Sequence, residues 1–167
     1  RHGFSKDDCA ATELNGNTRD GAVSFANVRR ETVQGQCHDA KAFHVMGEVS
    51  GHAGLFSSAS DIAVLEQVVL NRGGYGDVRL FDEDTLDRFI KPKDTDPSYG
   101  LGWRRKAHDG YTAVFSQVPD TAAIGHTGWT GTFTLIDPAN HLGIALLTSR
   151  RNTPVLDPAK DPNDFVG

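Results

Sequence analysis

Ile124-Gly125-His126-Thr127-Gly128-Trp129-Thr130-Gly131-Thr132 sets an imidazole and a hydroxyl between two glycines, directly ahead of an apolar run. The glycines keep a backbone edge open to a bound molecule, while Thr127 and His126 supply hydrogen bonds and charge. That chemistry suits recognition of a carboxylate or a carbonyl, but the segment holds no nucleophile. Thr132-Phe133-Thr134-Leu135-Ile136 and Leu142-Gly143-Ile144-Ala145-Leu146-Leu147-Thr148 follow as two strands. The turn-forming residues Asp137-Pro138-Ala139-Asn140-His141 join them into an antiparallel hairpin. The near-continuous apolar run of the second strand predicts burial on both faces, so helices are expected to cover the sheet. The fold class expected is α/β (α+β), an antiparallel sheet covered by helices.

The helices are legible upstream. In Ser57 to Gly73, Ser58 with Asp61 reads as a capping box and Gly73 stands where a helix C-cap belongs. Ile62, Leu65, Val68 and Val69 would then share the packed face. A second helix is expected within Leu80 to Ile90, capped by Asp82, with Glu83 and Asp84 at its positive end and Phe81 stapled onto Leu86. Pro92 ends it. Tyr99-Gly100-Leu101-Gly102-Trp103-Arg104 alternates large residues with glycine and reads as a strand closely approached by another backbone.

Composition narrows the partners. The chain has 167 residues, 38% of them hydrophobic and 23% charged, which is enough apolar material to build a core. A net charge of -5 argues against nucleic acid, since contiguous basic residues are few, and Arg104-Arg105-Lys106 and Arg150-Arg151 read as solvated strand ends. No apolar segment approaches the roughly 20 residues needed to cross a bilayer, so no transmembrane segment is expected. Cys9 and Cys37 form either one disulfide or two buried thiols, with buried thiols favoured. The chain opens on Arg1-His2-Gly3, and its one methionine is Met46, as expected of a processed or excised piece. Residues 152–167, with Pro154, Pro158 and Pro162, read as an extended tail, and residues 1–167 as a single partial domain.

In chain order, Gly51-His52-Ala53-Gly54-Leu55-Phe56-Ser57, a helix bearing Asp61, Tyr99-Gly100-Leu101-Gly102-Trp103 and Gly125-His126-Thr127-Gly128 resemble the C-terminal part of serine β-lactamase and penicillin-binding proteins. The likeness is to the class C and penicillin-binding-protein 4B type, and Ala10 to Arg19 and Gln34 to Phe43 share it. The resemblance implies acyl transfer through a serine ester, built from Ser-x-x-Lys, a Tyr-x-Asn-like motif and Lys-Thr-Gly or His-Thr-Gly. Only the third motif is in this chain: no serine has a lysine three residues on, and no tyrosine an asparagine two residues on. The missing N-terminal half of the same protein is therefore an expected partner. The substrate implied is a small molecule or a peptidoglycan peptide.

The resemblance also implies roles by position. His126 takes the place of the motif's basic residue, Thr127 donates to a substrate carboxylate, and Gly128 lets the substrate backbone approach. The backbone N–H of Trp129 is one of two oxyanion donors. His52 and Gly54 would stand near the site as structural residues. No cofactor is implied, and the location implied is the periplasm or cell envelope.

Simpler readings stand beside these. His-Thr-Gly can be a turn entering a strand, and His52 a hydrogen-bonded histidine that fixes a tight turn. His38, Asp39, His44 and His52 lack the spacing of a helical zinc motif, so no metal is expected. Trp103 and Trp129 read as core or cleft-wall residues. Three functional classes follow: part of a serine hydrolase acting on D-alanyl peptides, β-lactams or small esters; a non-catalytic carboxylate- or peptide-binding module; or an inert structural fragment.

Overall fold

Four antiparallel strands, β5 (Arg104–Arg105), β6 (Ile124–Thr127), β7 (Thr132–Asp137) and β8 (Leu142–Leu147), lie side by side in sequence order. The computed structural model describes residues 5–14, 29–106, 115 and 122–152. Two units contain them, Ser57–Leu147 and Arg1–Phe56 with Thr148–Gly167. The expected tail lies outside the described residues beyond Asn152.

In the unit Ser57–Leu147, β6 pairs with β7 so that Ile124 faces Ile136, Gly125 faces Leu135, His126 faces Thr134 and Thr127 faces Phe133. Residues opposite each other in an antiparallel pair share a face, and neighbours along a strand alternate. Ile124, His126, Thr134 and Ile136 therefore line one face, and Gly125, Thr127, Phe133 and Leu135 the other. Helix α2 (Ala59–Leu70) packs on the first face, where Val69 joins Leu86, Ile124 and Ile136 in a buried cluster. Leu86 comes from α3 (Glu83–Ile90), and Phe81 and Trp103 pack against the cluster's rim. A two-stranded ribbon, β3 (Gly74–Tyr75) with β4 (Val78–Arg79), separates these helices.

Both helix starts behave as expected. The Ser58 side chain accepts the Asp61 N–H at 3.1 Å and donates its hydroxyl to the Asp61 carboxylate at 2.9 Å. Asp82 accepts the Thr85 N–H at 2.7 Å. The end of α2 differs. Arg72, not Gly73, takes the left-handed position with φ 59°, and its N–H and that of Gly73 bond Val69 and Val68. This is a Schellman ending with the glycine one place late. Arg72 accepts the strained conformation while its guanidinium pairs with Glu83 at 3.1 Å and Asp87 at 2.7 Å on α3. Gly73 is required for another reason, because a Cβ there would run into the Phe81 carbonyl. Helix α3 stops at Lys91, whose extended ψ of 137° is the conformation imposed on a residue preceding proline.

Three expectations need correction. On α2 the buried residues are Glu66, Val68 and Val69, whereas Leu65 is 44% exposed. The face that meets the sheet runs through position 66, one residue round from the face the apolar spacing picks out. Strand β8 is covered on one face only among the described residues: Leu142, Ile144 and Leu146 are 42%, 40% and 51% exposed. Among the described residues it is an edge strand, with Glu66 of α2 against Gly143 on its other face, so its apolar run is not buried on both sides there. Residues 99–103 form a tight turn, not a strand, with the Gly100 N–H bonded to the Trp103 carbonyl at 2.8 Å and Gly102 at φ 84°. The close backbone approach is real at Gly100, where a Cβ would meet the Phe89 carbonyl.

The unit Arg1–Phe56 with Thr148–Gly167 contains a 3-10 turn (Lys6–Asp8), the pair β1 (Ala11–Glu13) and β2 (Val33–Gln34), and the short helix α1 (Ala40–Val45). Buried Arg29 donates to the carbonyls of Cys37 at 2.7 Å and His38 at 2.6 Å and stacks on Phe43, 3.9 Å from the ring centroid. Both cysteines are free; Cys37 is buried and Cys9 half-buried, so two buried thiols describes only Cys37. Burial pushes the Cys37 thiol up. Arg151 is 2% exposed and is not a solvated strand end.

Glu66 gives a test of the packing. It is 3% exposed, accepts the Thr134 hydroxyl at 2.5 Å and lies against Gly143, and burial raises its carboxyl above the ordinary glutamate range despite that bond. The folded chain thus holds this proton more tightly than the unfolded chain. Stability is complete below the unfolded pKa and declines as pH rises from there through the raised folded value. The melting temperature of Glu66→Gln, followed by thermal unfolding over that interval, is expected to fall less with rising pH than that of the parent sequence; parallel curves would show that Glu66 ionises freely.

Candidate active site

His126 and Thr127 close strand β6, and their placement follows from how the flanking strands end. Strand β5 pairs only with Ile124 and Gly125, because the turn at Gly100–Trp103 stops its ladder at Arg104. On that side His126 and Thr127 have no strand partner among the described residues. On the other side β7 holds both in register. Gly125 allows this pairing, since a Cβ there would run into the Thr134 carbonyl and crowd Leu135 and Phe115. His126 and Thr127 present opposite faces of the sheet, so a single carboxylate can meet both only along the open edge of β6.

The histidine's protonation is oriented by the backbone. His126 Nδ1 lies 2.7 Å from the Thr127 carbonyl oxygen, which can only accept. In the neutral ring Nδ1 therefore carries the hydrogen, and Nε2 is left with the lone pair. The ring is exposed, as a group that meets a ligand must be. Beyond Thr127 the chain reverses tightly: the Gly128 N–H bonds the Thr132 carbonyl at 2.7 Å and the Gly131 N–H bonds the Gly128 carbonyl at 3.0 Å. Gly131 sits at φ 108°, and a Cβ on Gly128 would strike the Thr132 hydroxyl. The turn lifts Trp129 to 56% exposure, so this tryptophan is not a core residue. Trp103 is half-buried against the core cluster.

The other predicted residues lie in the unit that contains Arg1–Phe56. Gly54 adopts φ 93° against Cys37 Sγ and the Glu48 carbonyl. His52 bridges two side chains, with Nδ1 2.6 Å from Ser50 Oγ and Nε2 3.2 Å from Asp39 Oδ1. Asp39 also caps α1 by accepting the Ala42 N–H at 2.7 Å. Burial pushes the Asp39 carboxyl up, but the Ala42 N–H and the His52 ring outweigh it and hold it below the ordinary aspartate value. His38 Nδ1 meets Thr12 Oγ1 at 3.0 Å, and Phe43 packs edge-on to His44. No group of three or more potential metal ligands is found among the described residues. Ser50 is the residue that sequence reasoning missed; its i, i+2 spacing from His52 was the available signal.

The ordered motifs and the antiparallel sheet with its covering helices lead to one family. A family model described as Beta-lactamase matches residues 8–166, and the chain belongs to that family. Its relatives are specific. It is 54% identical over 165 residues to a Bacillus subtilis (strain 168) protein named N-acetylmuramyl-L-alanine amidase, covering 99% of this chain and 37% of that one. It is 53% identical over 163 residues to an Escherichia coli (strain K12) protein provisionally named D-alanyl-D-alanine carboxypeptidase, covering 98% and 38% respectively. A Salmonella agona protein of the same provisional name is 52% identical over 164 residues, with 98% and 38% covered. The chain thus spans under two-fifths of the length of these relatives. No helix among the described residues is long and apolar enough to cross a membrane.

The geometry makes two measurable statements. Nitrogen-detected NMR of neutral His126 is expected to show the Nδ1–H tautomer, and an Nε2–H tautomer would contradict the bond to the Thr127 carbonyl. Gly125→Ala is expected to cost about 1–3 kcal/mol or more, because the strand can make room only by breaking its register with β7. Chemical denaturation measures that loss.

Proposed function

We propose that this chain supplies the His-Thr-Gly wall of a serine acyl-transfer site acting on D-alanyl peptides, β-lactams or small esters, in a protein of the class C-like, penicillin-binding-protein 4B type. The open edge of β6 at His126 and Thr127 carries this reading, since an extended substrate needs a free backbone edge and a hydroxyl donor beside it. The nucleophile is a Ser-x-x-Lys serine from another segment of the parent protein, whose relatives are more than twice as long as this chain.

In the reaction, the substrate's terminal carboxylate lies at the edge of β6, where Thr127 donates its hydroxyl. His126, with Nδ1 committed to the Thr127 carbonyl, adds charge or exchanges a proton through Nε2. Gly128 lets the substrate backbone approach. The Trp129 N–H and the serine's own N–H hold the oxyanion of the tetrahedral intermediate, and removal of one such donor typically costs about 100- to 1000-fold in turnover. A terminal carboxylate is what a D-alanyl-D-alanine carboxypeptidase must recognise, so that name among the relatives agrees better with this edge than the amidase name. The location that accompanies such substrates is the periplasm or cell envelope, and the proposed chemistry uses no cofactor.

The test is covalent labelling with a fluorescent penicillin. The parent protein carrying Ser-x-x-Lys is expected to be acylated, and Thr127→Val to slow acylation about 10- to 100-fold, the loss of one hydrogen bond to a charged group. This chain alone is expected to take no penicillin label. An unlabelled but folded parent protein overturns the reading.

A further inference from the structure

Ser50, His52 and Asp39 form a continuous hydrogen-bonded relay. Ser50 Oγ lies 2.6 Å from His52 Nδ1, and His52 Nε2 lies 3.2 Å from Asp39 Oδ1. Direction follows from donor chemistry. The Asp39 carboxyl is held ionised and can only accept, so Nε2 carries the ring's hydrogen. In a neutral imidazole the other nitrogen is then an acceptor, and Nδ1 receives the Ser50 hydroxyl proton. Nucleophile, base and orienting carboxylate stand in the connectivity of a Ser-His-Asp triad, with the two ring nitrogens exchanged.

The surroundings hold this arrangement and leave it reachable. Asp39 is fixed by the Ala42 N–H at 2.7 Å, and Gly54, at φ 93°, lies so close to Cys37 Sγ and the Glu48 carbonyl that a Cβ there would crowd both. The Cys37 N–H is itself bound by the Glu48 carboxylate at 3.0 Å. The His52 main-chain N–H points at Ser50 Oγ from 3.2 Å, a donor aimed at the oxygen that becomes negative when the proton leaves. The His52 side chain is 50% exposed and Ser50 half-buried, so a small electrophile can reach the hydroxyl.

We propose that Ser50 is a nucleophilic site of its own, which takes an acyl or phosphonyl group from an activated ester or a fluorophosphonate, with His52 as general base and Asp39 orienting the ring. With an activated aryl ester, Ser50 Oγ bonds the carbonyl carbon as its proton passes to His52 Nδ1. The acyl–oxygen bond then breaks, and the phenoxide leaves with the electron pair and takes the proton from Nδ1. With a fluorophosphonate, the Oγ–P bond forms, the P–F bond breaks, fluoride leaves with the electron pair, and His52 passes the proton to solvent. Asp39 stabilises the imidazolium in both cases. The site is independent of the His-Thr-Gly reading, which concerns penicillin acylation at a Ser-x-x-Lys serine that this chain does not contain.

The experiment treats the 167-residue chain with an alkyl fluorophosphonate probe and maps the adduct by mass spectrometry of tryptic peptides. The expected adduct is on Ser50 at one per chain, absent in Ser50→Ala and unchanged in rate in Ser57→Ala. His52→Gln, which keeps hydrogen-bonding groups but removes the base, is expected to slow labelling about 100-fold or more. Asp39→Asn is expected to slow it at least about tenfold while α1 remains capped, because asparagine caps helices as well as aspartate. Circular dichroism of each variant separates loss of reactivity from loss of fold. The proposal is overturned by no adduct on Ser50, by an adduct that persists in Ser50→Ala, or by a folded His52→Gln chain that labels at the parent rate.

Discussion

The register between β6 and β7 is the constraint on which the candidate site depends. It sets His126 opposite Thr134 and Thr127 opposite Phe133, and it tolerates no side chain at position 125 because the Thr134 carbonyl occupies that space. A slip of one residue would exchange the faces of His126 and Thr127 and drive Ile124 out of the core. The same pairing fixes the Thr127 carbonyl, which in turn fixes the tautomer of His126. Backbone geometry thus decides which histidine nitrogen is available for chemistry.

That register is secured from one side of the sheet. Helix α2 contributes Val69 to the cluster with Ile124 and Ile136, and Glu66 reaches the central strand at Thr134. A buried carboxyl is a costly way to join a helix to a strand; burial raises its hold on the proton, and the Thr134 hydroxyl offsets part of the cost by donating to it. The opposite face of β8 has no such cover among the described residues, and its leucines and isoleucine remain substantially exposed.

Short polar bridges organise the unit that holds Ser50. Asp39 serves at once as the cap of α1 and as the partner of His52, so the helix start and the loop at positions 50–54 are tied through one carboxylate. The simpler sequence reading of His52, a histidine that fixes a turn, describes these bonds. It does not contain the Ser50 hydroxyl, which makes the same bonds a relay.

The sequence by itself determined the local elements and their order. Ser58 and Asp82 as caps, Pro92 as a stop, and the hairpin of β7 and β8 all depend on interactions within a few residues, and such interactions are written in the chain. The ordered motifs likewise carried the family to which the chain belongs. Tertiary structure decided which faces are used. Glu66 replaced Leu65 on the packed face, β8 became an edge, and residues 99–103 turned where an alternating strand was expected, because each outcome depends on what packs opposite. The open edge at His126 and Thr127 exists because a distant turn stops β5, and the relay through His52 joins residues 11 and 13 positions apart in sequence from Asp39. Periodicity and spacing register neighbours along the chain, and neither can register a partner brought in by folding.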